Sequence, residues 1–311
     1  MIYNQYAFKV PEEKMIRVIT DTDLKNEADD HFAVVQALLS PKFDNVGMIA
    51  AHFGIDRVPD SMEQSCYELN VLFEKMGFSA ENMIYRGAPH PLPDAVTPVE
   101  SEGARLIIEE ALKEDSRPLY VLFLGPLTDM ASAYLMNPAI ASSVKVIWIG
   151  GGTYPAGGPE FNLGNDIHAA NVVFSSAMEV WQVPKNVYEM VSVSLAELEY
   201  RVQPCGEVGE YLFRQLMDHS MEDIPRKSSF RSGEAWVLGD NPAVGLLLHE
   251  HRFCYDWIQA PQITSDMTYV HTKRNRPIRV YNSIDSRLIL EDLYCKLALF
   301  ARNRRDKKSE K

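Results

Sequence analysis

The chain has 311 residues, 46% of them hydrophobic, and sets 31 lysines and arginines against 43 aspartates and glutamates for a net charge of -12. That length can bury one large α/β core or two small ones, and the acidic balance repels a phosphate backbone, which argues against a nucleic-acid partner but not against a small neutral ligand. The four cysteines, Cys66, Cys205, Cys254 and Cys295, are scattered without a C-x-x-C pair, and charges interrupt the apolar residues of the first 18 positions. Both features fit a cytoplasmic protein rather than a disulfide scaffold, a secreted chain or a membrane span.

In chain order, the β-branched run Met15 to Thr20 predicts a strand, the acidic segment Asp21 to Asp30 a loop, and His31 to Leu39 a helix closed by Pro41. A second strand is predicted over Val46–Ala51 and a helix over Ser61–Met76. Helices follow at Glu102–Leu112 and Leu127–Leu135, with strands at Leu119–Leu124 and Val144–Ile149. Short apolar strands alternating with amphipathic helices imply an α/β fold: a mainly parallel central sheet with helices on both faces. No repeat or interdomain linker is visible, so one domain over 1–311 is expected, with the charged tail from about residue 302 to 311 disordered. The polar, basic segment Met217 to Gly233 suits a mobile loop near the pocket mouth.

In parallel sheets ligands bind beyond the carboxyl ends of the strands, which directs attention to the loops at Asp21–Asp30, His52–Asp60, Gly125–Pro126 and Gly150–Asp166. The first places five carboxylates, Asp21, Asp23, Glu27, Asp29 and Asp30, within ten residues between a strand end and a helix start. Helix capping accounts for one or two of these acids, not five. A hard divalent cation resolves the crowding, because calcium accepts several carboxylate and carbonyl oxygens at once. The spacing is not that of an EF-hand.

A strand followed by D-x-D, a turn, D-D and an apolar helix resembles the signature of the nucleoside hydrolase family, although the turn Leu24 to Ala28 is longer and lacks the family's proline and glycine. Four further stretches come in the family's order. Arg86-Gly87-Ala88-Pro89-His90-Pro91-Leu92 resembles its G-A-x-x-P-L segment, and Leu124-Gly125-Pro126-Leu127-Thr128-Asp129 its G-P-L-T-N turn. Glu160-Phe161-Asn162 with Asp166 and Ala169-Ala170 resembles its E-F-N block, and Gly239-Asp240-Asn241-Pro242 its late H-D-P.

This resemblance implies that Asp30, Asp240, Asp23 and the Leu124 carbonyl ligate a calcium ion (Ca2+), and that Asp29, Asn162 and Glu160 hold the sugar hydroxyls. Asp21 would fix the loop from behind. Asp23 would take the proton from the attacking water, with the surrounding negative charge favouring an oxocarbenium-like transition state and inversion at the anomeric carbon. A homodimer or homotetramer is likewise implied. The substrate would be a ribonucleoside or related ribosyl compound; the alternatives are a metal-dependent hydrolase of another glycoside and a catalytically silent sugar- or nucleoside-binding protein.

The leaving-group half departs from the family. Gly239 stands where a histidine would serve the base, Glu102 replaces another histidine, and Ile55 falls near the position of an asparagine, with His52 and Asp56 close by. The loop before Glu160 offers Thr153 and Tyr154. His168 reads as a structural residue, Trp236 as core or stacking platform in equal measure, and Gly150-Gly151-Gly152 as no phosphate cradle, since no lysine follows it at the required spacing.

Overall fold

A computed structural model describes residues 2–222, 233–249 and 253–309. The first half builds β1 (Ile16–Thr22), α1 (Asp30–Leu38), β2 (Phe43–Ala50), α2 (Ser61–Met76), β3 (Ile84–Arg86), α3 (Glu102–Leu112), β4 (Leu119–Phe123), α4 (Thr128–Met136) and β5 (Val144–Ile149). Next come α5 (Phe161–Asn165), α6 (Ile167–Ser175), β6 (Glu179–Val183), α7 (Lys185–Tyr188), β7 (Ser192–Ser194), α8 (Leu195–Arg201) and α9 (Gly206–Glu222). Beyond them lie β8 (Ala235–Val237), α10 (Asn241–Leu248), β9 (Tyr255–Gln259), β10 (Gln262–Ile263), β11 (Tyr269–Val270), β12 (Pro277–Tyr281) and α11 (Ser286–Ser309).

Eight strands form one sheet in the order β3-β2-β1-β4-β5-β6-β12-β9, parallel throughout except for the antiparallel edge pair β12 and β9. Every residue of β1 and β4 is buried, which is why these strands read as near-continuous apolar runs rather than as an alternation. One core, built on Phe32, Leu38, Leu69, Phe73, Leu246 and Leu293, fills the face covered by α1, α2, α10 and α11. Another, built on Ile107, Val121, Met130, Trp148, Val173 and Phe174, fills the face under α3, α4 and α6. Each such side chain contributes about 1.5–3 kcal/mol by leaving water.

The strand order reverses direction between β1 and β4, which puts the ends of these two strands at the crevice where parallel sheets bind ligands. There the β1 ladder runs further than its apolar run predicts: Asp21 pairs with Ile49 and Phe123, and Thr22 with Ala50, so two polar residues are carried into the sheet. The predicted helix to Leu39 ends at Leu38, and α2 and α3 occupy their predicted ranges.

The tail differs from the expected disordered terminus: α11 continues as helix to Ser309. The physical reason lies in its contacts, since the Asn303 amide donates to Tyr3 Oη at 2.8 Å and to the Gln5 carbonyl at 2.7 Å, and Arg304 donates to the Met76 carbonyl. Of the expected loop at 217–233, residues to Glu222 continue α9, whereas 223–232 lie outside the described residues. No described helix is long and apolar enough to cross a membrane.

Candidate active site

At the carboxyl ends of β1, β4 and β5 lies a cleft of about 440 Å³, measured to its open mouth and lined by Asp23, Asp29, Asp30, Leu124, Glu160, Asn162 and Asp240. Thus every residue expected to touch metal or substrate borders one space. Asn26, Glu27, Phe161 and Gly239, which lie in the motif stretches, also line it, and so do Tyr188 and Val237, which nothing in the sequence marks.

The carboxylates converge because two helix N-termini meet. Asp29 and Asp240 are the N-cap residues of α1 and α10, two helices that pack together, yet neither side chain caps its own helix. Instead Asp29 Oδ2 accepts the Gly239 N–H at 3.0 Å, tying the first loop to the segment 210 positions later. Asp30 accepts from the Thr22 hydroxyl and shares a hydrogen bond with the Asp240 carboxyl. Oxygens of Asp29, Asp30 and Asp240 all lie within 4.8 Å of one another. The tight triad therefore contains Asp29, which was expected at the sugar, while Asp23 flanks it within the same cleft.

Desolvation raises the proton affinity of every member of the group, and mutual repulsion adds to it at Asp23, Asp30 and Asp240. Asp29 is pushed up to about 6 and Asp30 to about 7. Asp23, repelled by Asp30 and Glu27, and Asp240, repelled by Asp29 and Asp30, are held well above the ordinary carboxylate range. Asp23 Oδ2 is buried and has no hydrogen-bond partner among the described residues. An all-oxygen set of buried, mutually repelling carboxylates with an orphaned oxygen beside it fits a hard divalent cation, whose charge would remove the repulsion.

The Leu124 carbonyl accepts from Asn162 Nδ2 at 2.6 Å, and the same nitrogen donates to the Ile149 carbonyl at 2.9 Å. A carbonyl oxygen has two lone pairs, so one remains for a cation, but the Asn162 amide is committed to the strand ends, leaving its Oδ1 as the group for a ligand. Glu160 is the N-cap of α5. Its Oε2 accepts from Gly151 N at 2.7 Å and Leu163 N at 2.9 Å, and its Oε1 from Asn162 N at 3.1 Å and Tyr188 Oη at 3.1 Å.

Behind the cleft Asp21 is fully buried, and its carboxyl meets that of Asp129, the last residue of the L-G-P-L-T-D turn. Asp129 also accepts from the Ala88 N–H and the Ser101 hydroxyl. Two neighbouring acids repel when both are ionised, which favours the neutral form of Asp21. Desolvation and this neighbour push Asp21 well above its ordinary range, and desolvation lifts Asp129 to about 6. Next to the turn, His52 Nε2 lies 2.9 Å from the Thr128 hydroxyl, which donates to Asp166 Oδ2 at 2.8 Å, while that same oxygen accepts the Leu92 N–H. Asp166 thereby joins three of the motif stretches. His168 is exposed and Trp236 is buried in the core, in edge contact with His219.

The family model described as inosine-uridine preferring nucleoside hydrolase matches residues 18–291. The chain belongs to that family. Among curated relatives, a pyrimidine-specific ribonucleoside hydrolase of Salmonella paratyphi A is 27% identical over 176 residues, 55% of this chain and 52% of the relative. The chain thus spans about half the length of that relative. A probable uridine nucleosidase 2 of Arabidopsis thaliana is 25% identical over 64% of this chain and 68% of its own. Two solved structures share the fold: a plant nucleoside hydrolase at TM-score 0.73 and 20% identity, covering 91% of this chain and 99% of that one, and the purine-preferring ribonucleoside hydrolase of Gardnerella vaginalis at 0.75 and 18%, covering 92% and 99%.

Proposed function

We propose that this protein hydrolyses the N-glycosidic bond of a ribonucleoside or a closely related ribosyl compound in a calcium-dependent reaction. The observation that carries the reading is the convergence of Asp29, Asp30 and Asp240 beside the buried Asp23, in a chain of the nucleoside hydrolase family. Asp23, Asp30, Asp240 and the Leu124 carbonyl would hold the cation, with Asp29 close enough to join them. When bound, the cation supplies the charge that lets these carboxylates ionise together and that polarises water.

The remaining work falls to the side chains. Asp23, with one oxygen unclaimed, accepts the proton that water sheds as it attacks the anomeric carbon. The neighbouring carboxylates Glu27, Asp29 and Asp240 stabilise the positive charge that builds on the sugar ring. Asp29 and the Asn162 Oδ1 orient the sugar through its hydroxyls, and Asp21, bound to Asp129, anchors the loop.

Release of reducing sugar from a panel of nucleosides and other glycosides tests the reading. Ribose is expected from nucleosides in the presence of calcium, with a loss of about 10³-fold in Asp23→Asn, the scale of a missing general base. Release only from non-nucleoside glycosides, or binding without release, would contradict it.

A further inference from the structure

Tyr188 closes the short helix α7, and nothing in its local sequence marks it as functional. In the structure it lines the catalytic cleft between two residues already described. Its hydroxyl lies 3.1 Å from Glu160 Oε1, and its ring packs against the backbone of Gly239, where a Cβ would come within 3.0 Å of Cδ2 and 3.3 Å of Asp29 Oδ2. The ring thus occupies the space into which a side chain at position 239 would project.

Glu160 accepts hydrogen bonds from Gly151, Leu163, Asn162 and Tyr188. A carboxylate has about four acceptor positions, so none is left for a ligand unless one of these donors withdraws. Three of the donors are backbone N–H groups, two in the first turn of α5 and one from Gly151 just past the end of β5. The polar group that Glu160 can show a substrate is therefore the phenol it holds. With its proton directed at Glu160, the Tyr188 oxygen has only lone pairs to offer the cleft.

We propose that Tyr188 is a specificity-determining residue that contacts substrate, its oxygen accepting a hydrogen bond from a sugar hydroxyl in place of the saturated Glu160 carboxylate. The inference rests on the nucleoside reading above. It selects for a sugar that carries a hydroxyl donor at the position facing Tyr188, and against the corresponding deoxy sugar.

The test is steady-state kinetics of wild type and Tyr188→Phe on one nucleoside and its 2′-, 3′- and 5′-deoxy forms, with calcium present. In the variant KM for the parent nucleoside is expected to rise about tenfold with kcat within about threefold, the scale of one neutral hydrogen bond. Wild-type discrimination against one of the three deoxy forms is expected to disappear. That ratio is taken within one preparation, so loss of folded protein cannot imitate it. Unchanged KM and unchanged discrimination in an active enzyme overturn the role of Tyr188 and leave the nucleoside reading standing. Absence of sugar release from any nucleoside by wild type overturns both.

Discussion

At the residue scale, Asp129 shows how one substitution in a motif is absorbed by its surroundings. The family's turn ends in asparagine, and here an aspartate faces the buried Asp21. Both acids are raised, Asp129 to about 6, so the pair is stable while it keeps a proton. A carboxyl whose folded value lies above its unfolded one gives its full stability below about pH 4 and loses it as pH rises through the folded value. Asp129→Asn removes the repulsion between the two acids and leaves Asp21 facing a neutral amide. In metal-stripped protein, denaturant unfolding is expected to show this variant more stable than wild type by on the order of 2 kcal/mol at about pH 8, and equal to it at about pH 4. A difference independent of pH would contradict the raised pair. The acids themselves were legible in the sequence because five carboxylates cannot crowd a strand end without a counter-charge. Tyr188 and the commitment of Asn162 to the Leu124 carbonyl were not, since each depends on which loop faces which across the cleft.

At the element scale, the parallel core strands and helices α1 to α4 followed from apolar runs and helical periodicity, because their burial is set by local pattern. The second half was less legible for a physical reason. Strand β9 is the largely exposed antiparallel edge beside β12, and there Arg279 stacks 4.3 Å over Trp181 and 5.3 Å over Trp257, so the two sequences mix charged and aromatic residues. The charges of the tail suggest solvation, whereas Asn303 and Arg304 pin the last described turns of α11 to the N-terminal segment and to the end of α2. Truncation after Ala301 is therefore expected to lower stability by about 1–3 kcal/mol, two or three hydrogen bonds at their usual net value, which thermal unfolding reads as a fall of several degrees. An unchanged midpoint would show that the last turns of α11 contribute nothing.

At the scale of the whole molecule, the site exists because the strand order brings the ends of β1 and β4 together and because α10 returns to pack beside α1. No local pattern carries that information; only the resemblance, with Asp240 in its late position, linked the two ends of the chain before the fold did. The net charge of -12 adds to the repulsion that a cation would relieve, so calcium is expected to raise the melting temperature and a chelator to lower it. The most direct test of the shared cation is a calorimetric titration of metal-stripped protein with Ca2+, at a pH above the value of about 7 to which Asp30 is raised. The account predicts saturable binding of a single ion by wild type and its loss in Asp240→Asn. Undiminished affinity in that variant, or no binding by a wild-type enzyme that still releases ribose, would contradict it.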